Sequence, residues 1–215
     1  MFKYQLVHQP FVLSQQDEHN DDGRPHDGCL VSSGQRSINQ LRQASKQDLP
    51  AVLQLYRAAF PAEEVDQIIQ IVNELWSATT DATPLALHWV ITTPEQTIVG
   101  HLGLSGITNQ DGQMMGWLLA PLAVAPAQQG QGFGSDLVHH AIRYAMSNHQ
   151  PRILVYGDPA FYGRFGFDHH PAINFKPPFP LSQPMGWQGI IAHGKELQGP
   201  VAVSCHPALM HARLW

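Results

Sequence analysis

The sequence predicts an α/β domain: a mixed, mostly antiparallel central sheet flanked by helices. Three observations predict it. Apolar residues recur at helical spacing over 52–60 and again over 65–76. Short apolar runs at 87–92, 97–106 and 116–126 then follow one another with only turn residues between them, as antiparallel strands do. A later strand–helix–strand passage, from 116 to 157, supplies one parallel crossover.

Composition limits what such a domain does. The chain has 215 residues, of which 43% are apolar, enough for one domain with a sizeable core. Its net charge is −5 and it has no Lys/Arg-rich run, which argues against nucleic acid and an anionic membrane surface as partners. The two cysteines, Cys29 and Cys205, form no framework, as in a reducing compartment. No secretory signal and no bilayer-length apolar segment is visible, so a soluble, cytoplasmic protein is expected. The thirteen histidines include the adjacent pairs His139-His140 and His169-His170, whose members point to different faces, and no His-Glu-x-x-His spacing occurs. No metal is expected, and the histidines read as solvent-facing.

The elements follow in order. Residues 1–36, with QQDEHNDDGRPHDG at the centre, are polar and aperiodic and read as a flexible arm ahead of a domain over 37–215. INQLRQ (38–43) alternates as a short strand. Asp48 offers an N-cap with Pro50 in the first turn, and Val52, Leu53, Tyr56, Ala59 and Phe60 define the helix that follows, up to Pro61. A second helix starts near Glu63, where two acids suit the dipole, and carries Val65, Ile68, Ile69, Val72, Leu75 and Trp76 on one face. The strands 87–92 and 97–106 flank a turn at Pro94-Glu95-Gln96, and Asn109-Gln110-Asp111-Gly112 makes the next turn. GWLLAPLAVAP (116–126) reads as a long, mostly buried strand that Pro121 should locally break, at a bulge or an edge. Leu137, Val138, Ala141, Ile142 and Ala145 form a third helix, and RILVYG (152–157) a buried strand. A proline-rich extension from about residue 171 carries strands near 187–193 and 200–204.

The informative stretch lies between that long strand and the third helix: Gln129-Gly130-Gln131-Gly132-Phe133-Gly134-Ser135. Alternate glycines let successive N–H groups turn toward one concavity, and the helix adds its unpaired N–H groups and positive dipole end. Such a cradle suits a phosphate or pyrophosphate. A P-loop requires Gly-Lys-Ser/Thr, and Gly134-Ser135-Asp136 has no lysine. A dinucleotide cradle requires Gly-x-Gly-x-x-Gly, and Ser135 stands in the third place, although Asp158 lies where the ribose acid belongs. An NAD(P)-dependent oxidoreductase therefore stays open as an alternative.

Gln129-x-x-Gly132-x-Gly134 resembles the Q/R-x-x-G-x-G/A signature of the GNAT acetyltransferases. Tyr162, followed four residues later by Gly166-Phe167, resembles their second signature. The run from Gly157 to Phe167, with the later GWQG and GPV segments, is similar to one bacterial subgroup, the YhbS-like acetyltransferases, and the likeness covers about residues 37 to 205. The resemblance implies transfer of an acetyl group from acetyl-CoA, a co-substrate here and with no metal, to an amine in a ternary complex. It implies that strands 116–126 and 152–157 splay apart around the coenzyme. Gln129, Gly130, Gln131, Gly132, Phe133, Gly134 and Ser135 would hold its pyrophosphate, and backbone groups of Leu122, Ala123 and Val124 its pantetheine arm. Tyr162 would protonate the departing thiolate; a phenol near pKa 10 beside a thiol near 8.5 can do so as charge develops. The family often dimerises, so a homodimer is among the expectations.

The proton acceptor stays open. No glutamate occurs between Gln96 and Lys195, and Asp158 is the first candidate, with His101 and Ser105 behind it. Asp158 also reads as a turn residue bonding its own backbone ahead of Pro159. Trp89, Trp117 and Phe60 read as core and Arg164 as stacked between aromatics; the resemblance implies that Glu63 and Glu64 lie near the border of the acceptor site, and a solvated helix start explains them as well. A chain that keeps the cradle and lacks a base could instead be a non-catalytic acyl-CoA sensor.

Overall fold

The computed structural model describes residues 39–77 and 86–215. The arm expected over 1–36 lies outside them. Strands β1 (Gln40–Gln43), β2 (Ala86–Thr92), β3 (Ile98–Thr108), β4 (Met114–Val124), β5 (Arg152–Tyr156) and β7 (Trp187–Ile191) form one sheet in the order β1-β2-β3-β4-β5-β7. Every pairing is antiparallel except β4 with β5. β6 (Phe175–Lys176) and β8 (Val201–Ala202) pair separately and in parallel, and the segment expected as a strand near 200–204 touches the main sheet through one bridge, Ser204 to Thr108 of β3.

Helices cover both faces. α1 (Leu49–Ala59) and α2 (Ala62–Ser77) pack on one face together with the C-terminal residues Phe175, Val203, Leu209 and Trp215. α3 (Phe133–Met146) packs on the other, its Leu137, Val138, Ala141 and Ala145 meeting Trp89, Leu102, Leu119 and Val155. This two-sided cover explains why β3 and β4 read as near-continuous apolar runs, with no alternation of polar residues. Each large side chain buried there contributes about 1.5–3 kcal/mol.

One local expectation changes and another takes a definite form. Asp48 precedes α1 but makes no side-chain cap to it; its carboxylate forms a fork with Arg42, at 2.8 Å to both guanidinium nitrogens, and accepts Ser45 N–H at 2.7 Å. Arg42 competes successfully because a bidentate ion pair outweighs one cap bond. Pro121 disturbs its strand as expected, in the form of a bulge. Ala120 and Pro121 together face Gly103 alone, a bulge between the pairs Leu104↔Leu119 and Leu102↔Leu122, and the Ala120-Pro121 peptide is cis. Gly103 is required there: a β-carbon would sit 2.7 Å from the Ala120 oxygen.

Candidate active site

The bulge places the site. β4 pairs with β5 only through Trp117↔Ile153, Leu118↔Leu154 and Leu119↔Val155. β4 runs on to Val124 and β5 to Tyr156, yet past the bulge they share no further pair, so Leu122, Ala123 and Val124 line the open side of a splay. All three are buried.

The glycine loop starts where β4 ends. After a 3₁₀ turn over Pro126–Gln128, the Gln129 amide donates to the Val124 carbonyl at 3.1 Å and the Gln131 amide to Ala127 O at 3.3 Å. The first bond ties the loop back to the splayed strand and the second to the 3₁₀ turn. Gly130 (φ 76°) and Gly132 (φ 90°) hold left-handed conformations, the reason glycine stands at both. A β-carbon at either would meet nothing, so the requirement is conformational and the loop's outer surface is open. The first helical bond of α3 runs from Asp136 N–H to Gly132 O, which leaves the amides of Phe133, Gly134 and Ser135 ahead of the ladder. Among the candidates for cofactor binding, Gln129 to Ser135 and Leu122 to Val124 thus come together at one end of the sheet.

Asp158 and Tyr162 follow from the far side of the splay. Asp158 is exposed and caps the short helix α4 (Pro159–Tyr162), its Oδ1 accepting Ala160 N–H at 2.8 Å. Tyr162 is wholly buried, edge-on to Phe161 and Phe167, and its hydroxyl has no hydrogen-bond partner among the described residues. Burial first, and the Asp158 charge second, push its phenol well above the usual range, so it stays protonated.

The histidine expectation needs correction. His88, His101 and His206 are buried, whereas His139 and His170 are exposed and His140 packs its ring on Trp89. His101 Nδ1 lies 2.9 Å from the Tyr56 hydroxyl and His101 Nε2 lies 3.1 Å from His88 Nδ1. Burial is the main cause that lowers both rings: His101 well below its ordinary value, with His88 adding to the effect, and His88 to about 4. Sequence reasoning counted Tyr56 as helix core and passed over His88. The signal was a histidine at a strand position with apolar neighbours on both sides, on the sheet face that α1 covers.

The remaining candidates take structural roles. Trp89, Trp117 and Phe60 are buried in the cores, and the Arg164 guanidinium stands over Phe161 at 4.9 Å and Phe165 at 5.4 Å. Ser105 is buried on β3 with its hydroxyl unpartnered among the described residues. Among those residues no group of three or more His, Cys, Asp or Glu converges as metal ligands do, and no helix is long and apolar enough to cross a membrane.

A mixed sheet splayed beside a glycine-rich helix start is the fold of a GNAT acetyltransferase. The acetyltransferase (GNAT) family profile matches residues 49–167, more than half of the chain and both motif regions, and the chain belongs to that family. The Escherichia coli (strain K12) protein named uncharacterized N-acetyltransferase YhbS is 32% identical over 127 residues, which cover 57% of this chain and 71% of that protein. The crystal structure of Escherichia coli YhbS in complex with CoA superposes with a TM-score of 0.72 at 22% identity, covering 84% of this chain and 97% of that one. A GNAT family acetyltransferase from Brucella melitensis in complex with acetyl-CoA gives 0.59 at 20% identity, covering 81% and 99%. These superpositions show the fold.

Proposed function

We propose that this acetyltransferase moves an acetyl group from acetyl-CoA to a primary amine by direct attack within a ternary complex. One observation carries the reading: the open glycine loop of Gln129–Ser135 and the unpaired side of β4 at Leu122–Val124 adjoin each other, as a ligand with a pyrophosphate and an amide-bearing arm requires. Negative phosphate oxygens gain from the Phe133, Gly134 and Ser135 amides and from the dipole of α3. Amide groups of the pantetheine arm take up backbone bonds that β5 does not use. An N–H near Val124 steadies the oxyanion, a contribution of about 10²–10³ in rate for one such donor.

Tyr162 supplies the proton for the departing thiolate. Its buried, unpartnered hydroxyl stays neutral and donates as charge develops on sulfur. We read Asp158 as the cap that starts α4 and so sets Tyr162 in place, since its Oδ1 already accepts Ala160 N–H. The net acidity of the chain favours a cationic or basic acceptor.

Thermal stability of the purified protein with acetyl-CoA, CoA, NAD, NADP and ATP tests the donor. Ligand at a hundred times its Kd raises stability by about 2.7 kcal/mol. A shift with acetyl-CoA and CoA is expected. A shift with NAD or NADP and none with either CoA species would replace this reading with an oxidoreductase, and acetyl-CoA binding without thiol release in an amine screen would replace it with a sensor.

A further inference from the structure

We propose that Arg164 forms a second anion site for the coenzyme, taking up the 3′-phosphate of its adenosine beside the glycine loop; the inference rests on the acetyltransferase reading above. That reading puts several negative charges on a chain whose own net charge is −5. The cradle meets the pyrophosphate with amides alone: no Lys or Arg occurs between Arg57 and Arg143, and Asp136 adds a negative charge next to Ser135. Countercharge for the rest of the coenzyme has to come from another element. Arg143 stands eight residues past Ser135, about 12 Å along α3. Arg152 stands at the start of β5, away from the splay, with its guanidinium bonded to the Met115 and Lys195 carbonyls. Arg164 is the next cation along the chain, and ring contacts place it beside α3.

Phe165 is edge-on to His139 of α3, with centroids 5.2 Å apart, and Phe161 is edge-on to Tyr162 at 4.9 Å. The Arg164 guanidinium stands over both phenylalanines, 4.9 Å from the Phe161 centroid and 5.4 Å from that of Phe165. It is therefore packed between α3 and the segment that carries Tyr162. His139 follows Ser135 by four residues, so the two share a face of α3 one turn apart, about 6 Å along the axis. A helical side chain leans toward the start of its helix, so the His139 ring lies over the turn that Ser135 begins. That step is one a ribose spans between the phosphates on its 5′ and 3′ oxygens.

The guanidinium is held in place with donors to spare. Its Nε donates to the Phe161 carbonyl at 3.2 Å, and the four N–H groups on its terminal nitrogens make no hydrogen bond among the described residues. Arg164 is exposed and forms no ion pair among those residues. The flanking acids Asp158 and Asp168 turn their carboxylates to the backbone N–H groups of Ala160 and His170 instead. The two rings and the carbonyl bond fix the fork, so a ligand has little rotamer freedom left to freeze. A planar fork with its outer N–H groups open takes a phosphate through two parallel charge-assisted bonds.

Titration calorimetry on the full chain at low ionic strength tests the proposal, with CoA and 3′-dephospho-CoA as paired probes. The two differ only in the phosphate at issue. The parent is expected to bind CoA about tenfold more tightly, the lower end for a hydrogen bond to a charged group, as suits an exposed site. Arg164→Met keeps an unbranched stem against the rings and removes the fork. It is expected to lower the affinity for CoA about tenfold and to leave that for 3′-dephospho-CoA within about twofold, so that the two ligands bind alike. A parent that binds both ligands equally overturns the phosphate contact, as does a variant that still prefers CoA by the parent's ratio. A variant that weakens both ligands by the same factor also overturns it, and assigns Arg164 to the packing of its own segment. Each of these outcomes leaves the acetyltransferase reading standing. A parent that binds neither ligand removes that reading and this site with it.

Discussion

Gly157 lies against the ring of Tyr162: a β-carbon on Gly157 would stand 2.5 Å from Tyr162 Cε2. Gly157 cannot give way, since its N–H donates to Gly186 O at 2.9 Å and its carbonyl accepts the Gln188 amide at 3.2 Å. The end of β5 is thus clamped by the start of β7, and the phenol is seated on the clamp. Gly157→Ala must displace the buried ring. We expect a loss of about 1–3 kcal/mol, as for other overpacked cores, with a fall in kcat that tracks the displaced hydroxyl. Urea midpoints and turnover measured together check this, and a variant as stable and active as the parent would show that the ring is not held.

Tyr162→Phe separates the ring from its hydroxyl. The hydroxyl is buried without a partner among the described residues, so its removal costs no hydrogen bond, and stability should hold or rise slightly. Turnover should fall about tenfold or more while acetyl-CoA still binds. An unchanged kcat would leave Tyr162 as a core residue alone.

The two motifs were legible because each depends on local backbone chemistry. Glycines at 130 and 132 announce left-handed conformations, and Pro121 announces a disturbance in a strand. What Pro121 could not announce was that Gly103, eighteen positions earlier, is the residue that accommodates the bulge on the facing strand. Asp48 was misread for a similar reason: capping is local, but Arg42 comes within reach only once β1 has paired with β2. Tyr56, His88 and His101 sit on three different elements, and only tertiary packing lines up their polar atoms. No spacing rule along one chain records that alignment.

The glycine loop yields its own test. At Gly132 a side chain meets nothing, so Gly132→Ala imposes only the cost of a left-handed residue, about 1–2 kcal/mol. The chain can escape that cost by relaxing the loop, which turns its amides away from a phosphate. Weaker acetyl-CoA binding with nearly unchanged core stability is expected, read by titration calorimetry. Gln129→Ala, which cuts the tie to the Val124 carbonyl, should do the same. Affinity unchanged in both variants would place the pyrophosphate elsewhere.

The buried histidines make stability depend on pH in a defined window. An unfolded histidine titrates near 6.5, whereas burial, chiefly, holds folded His88 at about 4. Between these values the unfolded chain takes up a proton that the folded chain refuses, so stability falls as pH drops from about 6.5 to about 4. His88 alone accounts for roughly 3 kcal/mol over that span. His101, which burial holds well below its ordinary value, adds to the decline, as does the partly buried His140. Asp48 acts in a separate window: Arg42, chiefly, holds its carboxyl below the usual range, so its contribution is present above about pH 4 and is lost below. His88→Phe should therefore flatten the upper window and leave the lower one. Urea midpoints taken at about pH 7, 5.5, 4.5 and 3 decide it; equal slopes in parent and variant between about pH 6.5 and 4 would mean that His88 takes up its proton alike in the folded and unfolded chains.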